Sequence, residues 1–136
     1  KIKCIIRKEG EKETLNIQEF NTQQRYLTGE YEIEILTLPR IKEKVTIEQN
    51  KTTKVVIPEP GLTTIFYNSE TYGSIFEEGN ELQWVCDISS KNSRETIHLL
   101  PGKYRAIYRA KSANQSIYTK EQKFTVTSKK SVSLKL

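Results

Sequence analysis

The sequence predicts an all-β protein made of two tandem, small antiparallel β-sandwich units. Three observations carry this. Ile, Val and Thr number 35, against 3 Ala and no Met, and β-branched side chains fit a pleated surface better than a helix. Apolar and polar residues alternate with period 2 in several short runs, the mark of a half-buried antiparallel strand. The pattern then occurs twice: Leu27-Thr28-Gly29-Glu30-Tyr31 is followed by an alternating run, as is Leu100-Pro101-Gly102-Lys103-Tyr104. Repetition at this scale reads as duplicated architecture.

The segments follow in chain order. Ile2, Cys4 and Ile6 alternate, as do Trp84, Cys86 and Ile88, and we match these two runs to each other. Residues 16–26 hold the one stretch open to a short helix, with Asn16 as its cap. Tyr31, Ile33 and Ile35 face one side of a strand, with Glu30, Glu32 and Glu34 on the other. Tyr104, Ala106 and Tyr108 repeat this against Lys103, Arg105 and Arg109. Val45-Thr46-Ile47 matches Phe124-Thr125-Val126, and 52–57 matches 130–134. The first matched segments are offset by 73 residues and the later ones by 79, so the second unit gains 79 − 73 = 6 residues, placed around 112–116. Pro58-Glu59-Pro60-Gly61 interrupts any sheet ladder, because proline supplies no donor. The expected organisation is therefore a first unit over 1–57, a linker over 58–61 and a second unit over 62–136.

Gly29 and Gly102 sit where a turn needs a backbone that glycine adopts freely. Tyr31 and Tyr104 then enter the core, each expected to return its hydroxyl to nearby upstream backbone, as a tyrosine corner does. Trp84 is placed inside by its alternation with Leu82 and Cys86.

These segments resemble known modules. Leu100 to Tyr104, the following strand, Phe124-Thr125-Val126 and the closing 131–136 run resemble carboxypeptidase-regulatory-like, prealbumin-like and PEGA-type sandwiches of bacterial envelope proteins. Residues 31–41 (YEIEILTLPRI), 57–62, Tyr72-Gly73-Ser74-Ile75-Phe76 and Leu82-Gln83-Trp84-Val85 resemble the region after a von Willebrand factor A domain in Bacteroidetes proteins. The resemblance implies prealbumin-like or immunoglobulin-like units. It also implies a non-catalytic appendage of a periplasmic, cell-surface or extracellular protein, positioning an adjacent adhesive domain. A start at Lys1 rather than Met fits either a removed signal segment or a piece of a longer chain.

Chemistry is sparse. Asp87-Ile88-Ser89-Ser90-Lys91 begins like the metal motif of von Willebrand domains, but a lysine stands where an oxygen ligand belongs. His98 is the single histidine and has no nucleophile or ligand motif around it. Cys4 and Cys86 are too few for a disulfide framework and are read as separate reduced thiols. The net charge of +5 is spread through mixed-sign faces, without the concentrated basic footprint of a nucleic-acid binder. No apolar run reaches the roughly 18–20 residues of a membrane helix. We therefore expect no catalytic residue, metal or cofactor. The partner is a protein or a glycan, and the candidate contact is the aromatic loop holding Tyr67, Asn68 and Tyr72.

Overall fold

The computed structural model describes residues 2–89, 91–111 and 119–136. The described residues form eleven strands and no helix: β1 Lys3–Lys8, β2 Asn16–Glu19, β3 Gly29–Ile35, β4 Ile41–Ile47, β5 Gly61–Phe66, β6 Thr71–Glu77, β7 Gln83–Asp87, β8 Arg94–Leu99, β9 Gly102–Ala110, β10 Lys120–Val126 and β11 Ser131–Lys135. The chain divides into two compact units, Lys1–Ile57 and Pro58–Leu136. The stretch at 16–26 holds a strand and irregular chain. Ser90 and the six-residue insertion predicted near 112–116 lie outside the described residues.

Unit 2 has two sheets, one ordered β7-β6-β9-β10 and the other β11-β5-β8. Every pairing is antiparallel except β11 with β5, which is parallel. The chain crosses from β10 in one sheet to β11 in the other, and so enters beside β5 running the same way. Inward residues of both sheets form the core. Thr63 and Ile65 of β5, Ile75 of β6, Leu99 of β8, and Tyr104 and Ala106 of β9 are fully enclosed. Tyr104 stacks on Phe124 with ring centroids 5.6 Å apart. Such offset aromatic packing adds about 1 kcal/mol to the burial itself.

Unit 1 has one described sheet, ordered β2-β1-β3-β4 and antiparallel throughout. Its order is that of β7-β6-β9-β10, and its register agrees too. Tyr31 lies between Lys8 and Val45, as Tyr104 lies between Glu77 and Phe124. The equivalent of β1 is therefore β6, not β7. The match of Cys4 with Cys86 is corrected: Cys4 lies across from Ile35, the place Gly73 holds across from Tyr108. Both runs alternate, and alternation alone does not say which neighbour a strand takes.

In each unit the tyrosine at the start of the long strand is tied back. Tyr31 Oη donates to Leu27 O at 2.6 Å. Tyr104 Oη donates to Leu100 O, also at 2.6 Å. Gly29 and Gly102 precede them with φ of 157° and 158°, a backbone that L side chains seldom adopt. The turn after β4 also recurs after β10. Asn50 and Lys129 occupy the left-handed region at φ 60° and 61°. Lys51 N donates to Glu48 O, as Lys130 N donates to Thr127 O.

Two stability changes follow. Tyr104→Phe strands the buried Leu100 carbonyl, so urea unfolding of unit 2 should show a loss of about 1–3 kcal/mol. Thr63 Oγ1 is buried without a hydrogen-bond partner among the described residues. Thr63→Val keeps the shape and removes that unmet group, so the same measurement should show no loss, or a gain of up to about 1 kcal/mol.

Candidate functional site

The predicted loop does not present its two tyrosines together. Tyr67 is buried, and its hydroxyl lies 3.4 Å from Glu95 Oε1. Burial first, then the nearby Glu95 charge, pushes this phenol well above its ordinary range. Glu95 is itself raised by burial, against the opposing hydrogen bonds from Ser89 N and Tyr67. Tyr67 N donates to Ser93 O, and Asn68 N to Leu136 O. Tyr67 thus closes one end of the sandwich, and the pairing of Tyr67 with Tyr72 as a shared contact is corrected. Period 2 explains it: Tyr67 continues the inward series Thr63, Ile65, while Tyr72 lies on the outward face of β6.

The outward face of the four-stranded sheet in unit 2 is where exposed aromatics gather. Tyr72, Ser74 and Phe76 alternate outward along β6. Tyr72 pairs with Arg109, Ser74 with Ile107 and Phe76 with Arg105 on β9. On the other side, β7 sets Trp84 across from Phe76 and Asp87 across from Ser74. Tyr72 and Phe76 are about 13 Å apart along the strand at roughly 3.3 Å per residue. Tyr72 is 51 % exposed and Trp84 60 %.

Trp84 was expected inside, and a β-bulge is why it is not. Ile75 pairs with Cys86 but Phe76 pairs with Trp84, so Val85 is an extra residue on β7. Val85 is buried beside the half-buried Cys86, and the alternation resets between them. Trp84 is thereby turned outward, as bulges re-aim side chains. Nothing in the local sequence announces the extra residue.

Trp84 is held by hydrogen bonds. Its Nε1 donates to Asp87 Oδ1 at 2.9 Å, and Ser74 Oγ donates to the same oxygen at 2.6 Å. These two bonds, Ser74 first, hold the Asp87 carboxyl below the usual aspartate range. At the other end, Arg109 Cζ and Lys111 Nζ each lie 5.8 Å from the Tyr72 ring centroid, within cation–π range. Glu70 anchors Lys111 at 3.1 Å and raises its pKa. Arg105 is fixed between Glu78, at 3.0 Å, and Glu121, at 3.3 Å. The face therefore offers two exposed rings, a positioned carboxylate and anchored cations.

The remaining candidates are structural. Asp87 spends its acceptor on Ser74 and Trp84, and among the described residues no group of three or more His, Cys, Asp and Glu side chains is placed to hold a metal. His98 is exposed on β8 across from Leu62. Cys4 and Cys86 are free thiols; burial raises both, and nearby Glu95 and Asp87 help push Cys86 to about 11. A shallow depression of about 430 Å³ lies at the β6–β7 turn, lined by Glu77, Gly79, Asn80, Glu81 and Gln83. No described helix is long and apolar enough to cross a membrane.

The Asp87 bonds predict a pH response. A carboxyl with a lowered folded-state pKa gives stability that is complete above its unfolded value and lost as pH falls through the folded one. Trp84 is the single tryptophan, so its fluorescence reports this site. Its emission should hold through the ordinary aspartate range and change only at lower pH, and Asp87→Ala should abolish that step. Comparison with known protein families, characterised proteins and solved structures finds no match to this chain.

Proposed function

We propose that this chain is a non-catalytic interaction module of a secreted or cell-envelope protein, positioning an adjacent von Willebrand factor A-like adhesive domain. The observation that carries the reading is the outward sheet face of unit 2. Trp84 and Tyr72 are its two most open aromatics, among anchored arginines. Aromatic and arginine side chains are the types enriched where proteins grip partners. Trp84 is already held by Asp87, and Arg105 by Glu78 and Glu121, so these side chains lose little freedom on contact. The resemblance of 31–41 and 57–62 to segments after von Willebrand domains supplies the neighbour.

A carbohydrate partner is the second reading. It is favoured by the same exposed rings, which offer flat apolar faces beside a carboxylate and cations. The contact is then Tyr72 with Trp84 on the sheet, not Tyr72 with Tyr67 on the loop.

Trp84 fluorescence separates the two. The chain is titrated with a von Willebrand factor A domain and, separately, with a panel of envelope oligosaccharides. A response to the domain, weakened tenfold or more by Tyr72→Ala, and by Trp84→Ala when binding is read by calorimetry, supports the positioning role. A response to sugars alone moves the function to glycan binding. Silence toward both overturns both readings.

A further inference from the structure

We propose that unit 1 accepts one more β-strand, an extended segment joined directly ahead of β1, at the place that β5 holds in unit 2. This stands on the internal repeat and is independent of what the aromatic face binds.

The two four-stranded sheets share strand order, register, tyrosine tie and exit turn. Their inward faces differ in cover. Phe124, Val126 and Ala106 are buried in unit 2, Val126 to 2 % exposure. Their register equivalents Val45, Ile47 and Ile33 are only half-buried. The leucine two residues ahead of each Gly-x-Tyr shows the same contrast. Leu100 is 8 % exposed, and Leu27 is 80 % exposed. Ile6, Tyr31 and Ile35 on the same face are buried, and both members of each pair are apolar and share a backbone place, so the difference lies in the layer above Ile33, Val45, Ile47 and Leu27.

In unit 2 that layer is β11-β5-β8, with β5 in the middle. β8 and β11 each bond to β5 and not to each other. The equivalents of both edges are present in unit 1. Segment 22–26 corresponds to β8 and is held over β2 by side chains: Gln18 Nε2 donates to Thr22 O at 2.8 Å, Tyr26 Oη to Gln18 Oε1 at 2.8 Å, and Asn16 Nδ2 bonds both Gln24 and Tyr26. Segment 52–57 corresponds to β11 and leaves the Asn50 turn as β11 leaves the Lys129 turn. Among the described residues, neither segment makes a backbone–backbone hydrogen bond. Segment 22–26 is tied to β2 and Thr53 Oγ1 donates to Thr46 O of β4, and a central strand would supply the common backbone partner of both segments.

Unit 2 also shows how that strand arrives. β5 ends at Phe66 and β6 starts at Thr71, so residues 67–70 are the whole connection. Thr71 lies across from Ala110 as Ile2 would lie across from Thr37, which places the new strand within ten residues ahead of Ile2 by the same register. Its inward residues follow the small and β-branched series Gly61, Thr63 and Ile65. A Cβ at Gly61 would come within 2.6 Å of Val126 Cγ1, so the first inward position must be small.

The test grafts a copy of residues 61–69 ahead of Lys1 in the full chain and follows amide hydrogen exchange. The expected result is a monomer in which exchange over 53–57 slows at least tenfold relative to the ungrafted chain. A graft carrying Thr63→Lys and Ile65→Lys in the copy should give no slowing. The free peptide of residues 61–69 at micromolar concentration should give none either, because only the joined strand has a millimolar effective concentration. Unchanged exchange in the graft overturns the proposal, as does equal protection by the charged graft or the free peptide. Protection already present in an ungrafted dimer overturns it in favour of a second copy. A second variant does not depend on the graft folding: Leu27→Lys in the ungrafted chain should leave unit 1 melting unchanged, and a drop in melting shows that the face is already filled.

Discussion

A buried phenol must find an acceptor, and that requirement fixes the course of the chain in both units. Tyr31 and Tyr104 enter the apolar side of their sheets four residues after the carbonyls they bind. The bond holds the crossover close to the strand it feeds, and the glycine between supplies the backbone that brings the ring back. Register follows from it. With the tyrosine placed, Ile33 and Ile35, or Ala106 and Tyr108, are set on the inner face, and Glu32 and Glu34, or Arg105 and Ile107, on the outer one.

The outer faces then diverge where the inner ones agree. Unit 1 carries Glu30, Glu32 and Glu34 along β3, with Glu34 bridged by Arg7 at 3.1 Å and by Arg40 at 2.6 Å. Glu9 and Glu30 share a site beside Lys44, so the first is shifted down and the second up. Unit 2 carries Lys103, Arg105 and Ile107 in those places, with Arg109 beyond them, and adds the aromatics of β6 and β7. A common scaffold thus presents two chemically different surfaces, and the one with rings is the one suited to a partner.

Much of the fold is legible in the residues because it depends on period 2 and on turn chemistry. The strands holding Tyr31 and Tyr104, the break at Pro58 and Pro60, and the repeat are all local patterns. The rest depends on neighbours. Cys4 and Cys86 both lie on alternating runs, but one run is beside the tyrosine strand and the other is a strand further out. Tyr67 and Tyr72 are five residues apart in sequence, yet a strand end and a turn put one in the core and the other outside. Trp84 followed its alternation until one extra residue reversed it. The candidate face was therefore half legible: Tyr72 could be named from composition, whereas its companionship with Trp84, Asp87 and Arg109 arises only when three strands are laid side by side.

The parallel pairing of β11 with β5 has a kinetic meaning. Ser131 meets Leu62, a separation of 131 − 62 = 69 residues, across every other strand of unit 2. A contact that distant in sequence carries the largest loop-closure entropy and forms slowly. During synthesis the central strand of that sheet emerges first and its parallel neighbour emerges last among the strands of unit 2. Until then one edge of β5 is a bare hydrogen-bonding template, the state in which nascent chains most readily pair with the wrong companion.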